Sequence, residues 1–226
     1  PLSVGIETVG GVLSKIIPRN STVPASATEL FTTFVDSQTS VKIHVLQGER
    51  ELVKDCRSLA QFDLKGIPPM PAGMPKIEVK FLIDADGILS VSAVEQRTGK
   101  SQSIEVKPTY GLTDEEIERM ILESFEYAET DIEMRQLIEA RNEAESVLHA
   151  AAKGIVDEKY ASLSAEEKTE ISAANDGLRN VFSSEDHRAI RDAVERLNHA
   201  TSHLAELIMN SAIEKALKDK RVREIQ

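Results

Sequence analysis

The sequence is poor in cysteine and in aromatic side chains: it has one Cys, no Trp, and only 4% aromatic residues among 226. A lone Cys56 cannot close an internal disulfide, which favours a reducing compartment. Excess positive charge is also missing. The 27 Lys and Arg are outnumbered by 38 Asp and Glu, leaving a net −11, so the chain repels phosphate backbones and no nucleic-acid partner is expected. No apolar run approaches the ~18 residues that cross a bilayer, and the N-terminus lacks the basic-then-apolar layout of a signal peptide. A soluble chain with no membrane partner is expected. It opens on Pro1 rather than Met, as expected of a fragment of something longer.

Proline and glycine are scarce only in one half. All 8 Pro and 8 of the 11 Gly lie in residues 1–110, whereas residues 111–226 hold no Pro and only Gly111, Gly154 and Gly177. Charge divides at the same place: 12 acids balance 12 bases up to residue 110, and the remaining 26 acids and 15 bases carry the whole −11. The length suffices for two ordinary domains, each with a core. Domains at 1–110 and 111–226 are therefore expected.

The first half reads as antiparallel β-structure. Val4 to Thr8 leads through Gly10-Gly11 to Val12 through Ile17; Val41, Ile43 and Val45 alternate with Lys42 and His44; Ile77, Val79 and Phe81 alternate with Lys76, Glu78 and Lys80. Asp84-Ala85-Asp86-Gly87 and Arg97-Thr98-Gly99-Lys100 read as tight turns joining Lys76–Ile83, Ile88–Val94 and Ser101–Lys107 into a meander. Gly66-Ile67-Pro68-Pro69-Met70-Pro71-Ala72-Gly73 reads as a connecting loop, because Pro cannot donate to a central ladder. About eight strands in this length predict a β-sandwich.

The second half has the helical period. Thr113 with Glu116 and Ser164 with Glu167 are capping boxes that open helices. Apolar stripes follow: Ile117, Met120, Ile121 and Ala128; Ile171, Ala174, Leu178 and Val181; Ile190, Val194, Leu197, Leu204 and Ile208, interrupted by Thr201. An antiparallel bundle is expected, reached through the extended stretch from Phe125 to Val156. The expected fold class is thus a β-sandwich followed by an all-α helical bundle lid.

Catalytic motifs are absent. Nothing matches a Walker loop, G-x-G-x-x-G, G-x-S-x-G or H-E-x-x-H. Asp84-Ala85-Asp86-Gly87 opens like a calcium loop, but Ile88 and Leu89 stand where a ligand and the turn glycine belong. His199 and His203 lie one helical turn apart and could clamp zinc with Glu195 or Glu206, or they are part of a solvated face. Cys56 beside Lys54 and Arg57 could be a lowered-pKa thiol or a small buried residue. Phe31 and Phe34 exceed simple strand alternation near Val41, Ile43 and Val45. They are core residues or the walls of a groove for an extended apolar peptide, with the helical half as cover.

Three long segments resemble one family. Leu2 through Thr8, Val41 through Arg50 (VKIHVLQGER) and Ile83 through Ala93 (IDADGILSVSA), with Gly111-Leu112-Thr113 before the acidic helix, are similar to the substrate-binding and lid region of the seventy-kilodalton heat-shock (DnaK-type) chaperones. Glu51 through Ala60, Gly66-Ile67-Pro68 and Met70 through Gly73 look most like the HscA branch, which serves iron-sulfur cluster assembly. The resemblance implies a bacterial cytoplasmic chaperone fragment that is not itself an enzyme and needs no cofactor of its own. ATP and Mg belong, on this reading, to an absent upstream domain. The implied partners are a client peptide, the iron-sulfur scaffold protein and, for the parent chain, a J-type co-chaperone. A general folding chaperone of the same family, an enzyme with an unrecognised site and a helical adaptor are the rival readings.

By the same resemblance, Ile6, Thr8, Val12, Phe31, Val41, Ile43 and Ile77 match the peptide channel, and Val9 and Phe34 match the arch above it. A Leu- or Val-sized group in such a pocket contributes about 1.5 to 3 kcal/mol, which against the cost of ordering a peptide implies affinity on the order of micromolar. Val9 with Phe34 reverses the family's usual bulk, so a narrower or oppositely directed set of peptides is expected. His149 matches the histidine that latches onto the loop bearing Asp36. The family's Arg and Asp latch pair maps to Ala72 and Glu145, so a looser latch and faster release are expected; an exposed ion pair is worth only about 0 to 1 kcal/mol, which keeps the effect modest.

Overall fold

A computed structural model describes residues 2–224. Four strands come first: β1 (Val4–Thr8), β2 (Val12–Ile17), β3 (Ala25–Phe31) and β4 (Ser40–Gln47). After a 3-10 turn at Val53–Asp55 follow β5 (Arg57–Lys65), β6 (Ile77–Ile83), β7 (Leu89–Glu95) and β8 (Ser101–Val106). They form two antiparallel four-stranded sheets, ordered β2-β1-β4-β5 and β3-β6-β7-β8. Helices α1 (Asp114–Glu126), α2 (Ala128–Ile155), α3 (Ala165–Val181) and α4 (His187–Glu224) complete the chain, with a 3-10 turn at Glu158–Ser162 before α3.

Alternation in the strands sets the first core. Ile77, Val79 and Phe81 of β6 and Leu89, Val91 and Ala93 of β7 are fully buried, and Val4, Ile6, Ile43, Val45 and Leu64 of the other sheet pack against them. β1 crosses β2 so closely that a Cβ at Gly5 would lie 1.9 Å from the Ser14 carbonyl oxygen; only glycine fits. The β6–β7 turn is held by Asp84, whose Oδ1 accepts the amides of Asp86 and Ile88, both at 2.9 Å, with Gly87 at φ 75°. The Asp84 carboxylate is thus occupied in closing a hairpin. In the next turn, buried Glu95 accepts the Thr98 hydroxyl and the Thr98 and Arg97 amides. Those bonds, the Thr98 hydroxyl foremost, hold its carboxyl below the usual carboxylate range.

Both capping boxes form: the Thr113 hydroxyl accepts the Glu116 amide while Glu116 accepts the Thr113 amide, and Ser164 with Glu167 does the same. The segment expected to run extended from Phe125 to Val156 is instead mostly α2, a helix of 28 residues. Its inward positions Leu137, Ala140, Ala144 and Ala151 are mostly alanine. Small side chains leave only a faint apolar stripe in the sequence, yet they let neighbouring helices approach.

The expected fold class, a β-sandwich followed by an all-α helical bundle lid, is corrected by the observed arrangement. The chain is two antiparallel sheets plus helices, and its compact units divide inside α2, one running through Arg135 and the other starting at Gln136. Helices α1 and the first turns of α2 therefore belong with the sheets. The reason is an ion-pair network that the sequence does not advertise. Arg50 donates to both oxygens of Asp131 at 2.5 and 2.8 Å, stacks 4.3 Å above the Tyr127 ring and lies 3.5 Å from Asp55. Arg135 donates to Glu51, which also takes the Lys15 ammonium at 3.2 Å. The second unit has its own interior, built on Leu178, Ile190, Val194 and Leu197 and on Leu163, Ile171 and Leu204.

Candidate functional site

The ladder between β1 and β4 is shorter than either strand. It pairs Val4 with Gln47, Gly5 with Leu46 and Ile6 with Val45, then stops, although β1 continues to Thr8 and β4 begins at Ser40. Beyond Ile6 and Val45 the two strands part. A cleft of about 540 Å³ opens there, and its lining includes Ile6, Thr8, Val9, Phe31, Phe34, Val41, Ile43 and Ile77. Eight of the nine residues matched to the channel and arch thus line one cavity; Val12 does not. Val12 sits on β2, buried opposite Thr8 and bridged to Leu52, one strand too far from the opening.

Burial grades the lining from floor to rim. Ile6, Ile43 and Ile77 are buried and belong to the core; Phe31, Phe34 and Val41 are half-buried walls; Val9 is 46% exposed at the edge. Register explains the floor: Phe31 and Ile77 are opposite one another at the ends of β3 and β6. The loop after β3 is stiffened by Gln38, whose Oε1 accepts the Phe34 amide at 3.3 Å and whose Nε2 donates to the Ser40 carbonyl at 2.9 Å. Asp36 accepts the Ala72 amide at 2.8 Å, which ties this loop to the proline-rich connection. His149 is an exposed residue of α2 in the other compact unit.

The cleft also has a polar wall that residue patterns do not single out: Glu7, Gln38, Lys42, His44 and Gln61. His44 Nδ1 lies 2.6 Å from Glu7 Oε2, and Nε2 lies 2.8 Å from Ser58 Oγ. In sequence Glu7, Lys42, His44 and Gln61 are polar members of strands, indistinguishable from a solvated face, and Gln38 is a loop residue. For Glu7, Lys42 and His44 the one signal is that each neighbours an apolar residue of the lining, Ile6, Val41 or Ile43.

The decoys resolve elsewhere. Burial pushes the Cys56 thiol up to about 11, against the pull of Lys15, so it is a weakly reactive, partly covered residue. His203 bonds Glu167 at 2.6 Å across α3 and α4, and that bond holds the Glu167 carboxyl below the usual range. Among the described residues no group of three or more His, Cys, Asp or Glu could hold a metal ion. No helix among them is long and apolar enough to cross a membrane. A larger groove of about 1090 Å³ runs between α3 and α4 over Ala173, Ala174 and Gly177, with Glu170, Asp192, Glu195 and Arg196 around it. It lacks the convergence of apolar floor and open strand edges that distinguishes the smaller cleft, which is therefore the candidate site.

Residues 1–210 match the family described as Hsp70 protein. The chain belongs to the Hsp70 family. Among curated proteins it is 51% identical over 225 residues to the "Chaperone protein HscA homolog" of Tolumonas auensis, covering 100% of this chain and 36% of that protein. Identity to the protein of the same name from Ralstonia pickettii is also 51% over 225 residues, with the same coverage. For that of Methylobacillus flagellatus it is 51% over 217 residues, covering 96% of this chain and 35% of the relative. The chain spans about a third of the length of these relatives.

Proposed function

We propose that this chain is the part of an Hsp70-family chaperone that captures an extended apolar segment of a client protein in the cleft between β1 and β4. The observation that carries the reading is the coincidence of an apolar floor (Ile6, Ile43, Ile77) with strand edges whose ladder stops at Ile6 and Val45. An extended peptide can hydrogen-bond to such edges while one side chain enters the pocket. Each backbone hydrogen bond adds about 0.5 to 1.5 kcal/mol to the pocket's contribution, and after ordering costs the affinity falls on the order of micromolar. Weak, reversible capture suits a chaperone.

The HscA-named relatives support a specialised client, the scaffold protein on which iron-sulfur clusters are assembled. In the parent protein a J-type co-chaperone delivers the client, and ATP with Mg controls release. The narrower specificity follows from a bulky, half-buried Phe34 and a smaller, exposed Val9 in the lining of one cleft. Competition between a Leu-Pro-Pro-Val-Lys-type peptide and a generic Leu-rich peptide tests both levels. Displacement of the generic peptide by the first is expected; equal potency would leave general chaperone capture, and no binding of either would contradict capture itself.

A further inference from the structure

Where the β1–β4 backbone ladder ends, side chains take over its role. Past Ile6 and Val45, the bond from His44 on β4 to Glu7 on β1 bridges the gap, and the same imidazole reaches Ser58 on β5 through its other nitrogen. A carboxylate can only accept, so Nδ1 donates to Glu7, while Nε2 pairs with the Ser58 hydroxyl. The His44 side chain is only 11% exposed, and both Glu7 and His44 line the cleft. One rigid ring thus ties three strands together at the mouth of the cavity.

We infer that the Glu7–His44–Ser58 clasp sets the separation of β1 and β4 at the cleft mouth and so governs how fast a bound peptide leaves. The inference rests on the capture reading above. His44 and Glu7 act here as positioning residues: they hold the strand edges at the spacing that lets a peptide backbone bond to both. Without the bridge, nothing past Ile6 and Val45 fixes that spacing through the ladder, and the mouth widens. Lys42, also in the wall on β4, is exposed and takes no part in the bridge.

The test is the release rate of a fluorescently labelled Leu-rich peptide from the full chain and from five variants. His44→Ala and Glu7→Ala are each expected to speed release about tenfold, the scale of one lost hydrogen bond. The double variant should release no faster than the quicker single one, because both remove the same bridge. His44→Gln keeps a donor and an acceptor on a similar reach and should return to within about twofold of the parent. Ser58→Ala, which leaves the bridge to Glu7 intact and keeps the test open if His44→Ala does not fold, should speed release by about threefold. Release rates unchanged in variants that still bind would overturn the clasp, as would single effects that multiply or a Gln variant as fast as the Ala variant. A parent chain that binds no peptide would overturn the capture reading instead.

Discussion

At the scale of single residues, the pair that most constrains the structure is Arg50 with Asp131, whose side chains are 12% and 5% exposed. Removing one partner of a buried pair strands the other, so Asp131→Ala should cost about 3 to 5 kcal/mol in urea unfolding. Hydrogen bonding from Arg50 lowers the Asp131 carboxyl; at Glu51 burial opposes, but Arg135 and Lys15 win and lower it too. Depressed carboxylates stabilise the fold above their ordinary range and lose that contribution as pH falls through the lowered values. Stability should therefore decline below about pH 4, more shallowly in Asp131→Asn; identical acid curves would remove these groups from the account. Nothing in the sequence revealed this pairing, since the partners lie 81 positions apart. The cleft walls were more legible: Phe31 and Phe34 stood out as surplus apolar residues. Exchanging bulk across the mouth with Val9→Met and Phe34→Ala should change peptide preference or binding direction, and an unchanged profile across a peptide panel would show that these two side chains do not select.

At the scale of elements, legibility followed how locally each was determined. The capping boxes at Thr113 and Ser164 need only four consecutive residues, and both were readable in advance. Their loss should nonetheless read out differently. α1 buries no residue, while α3 buries Ile171 and Leu178 in the helical interior. Ser164→Ala should thus lower the stability of the helical unit by about 1 kcal/mol, whereas Thr113→Ala should fray α1, seen as faster amide exchange there, with little change in unfolding midpoint. β6 and β7 were legible because Ile77, Val79 and Phe81 follow Lys76, Glu78 and Lys80 in turn, and Val91 lies between Ser90 and Ser92. α2 was not, because alanines such as Ala140 and Ala144 pack as well as leucine at close approach but carry little hydrophobic signal. The early end of the β1–β4 ladder was also invisible, being a matter of strand separation rather than residue type.

At the scale of the whole molecule, the break in composition at Gly111 and the division of the structure near Arg135 do not coincide. Composition changes where helices begin; packing changes where ion pairs to the sheets end. Two units with separate interiors should unfold in two calorimetric transitions, and a single transition with matching calorimetric and van't Hoff enthalpies would mean one cooperative unit. The central claim concerns the unit built on the sheets, that the opening between β1 and β4 takes up an extended apolar peptide. Methyl NMR of the intact chain during titration with a Leu-rich peptide tests it most directly. Saturation on the order of micromolar, with shifts concentrated at Ile6, Ile43 and Ile77 while Ile190 and Leu197 stay still, is the predicted result. No saturation, or shifts confined to the helical unit, would contradict it.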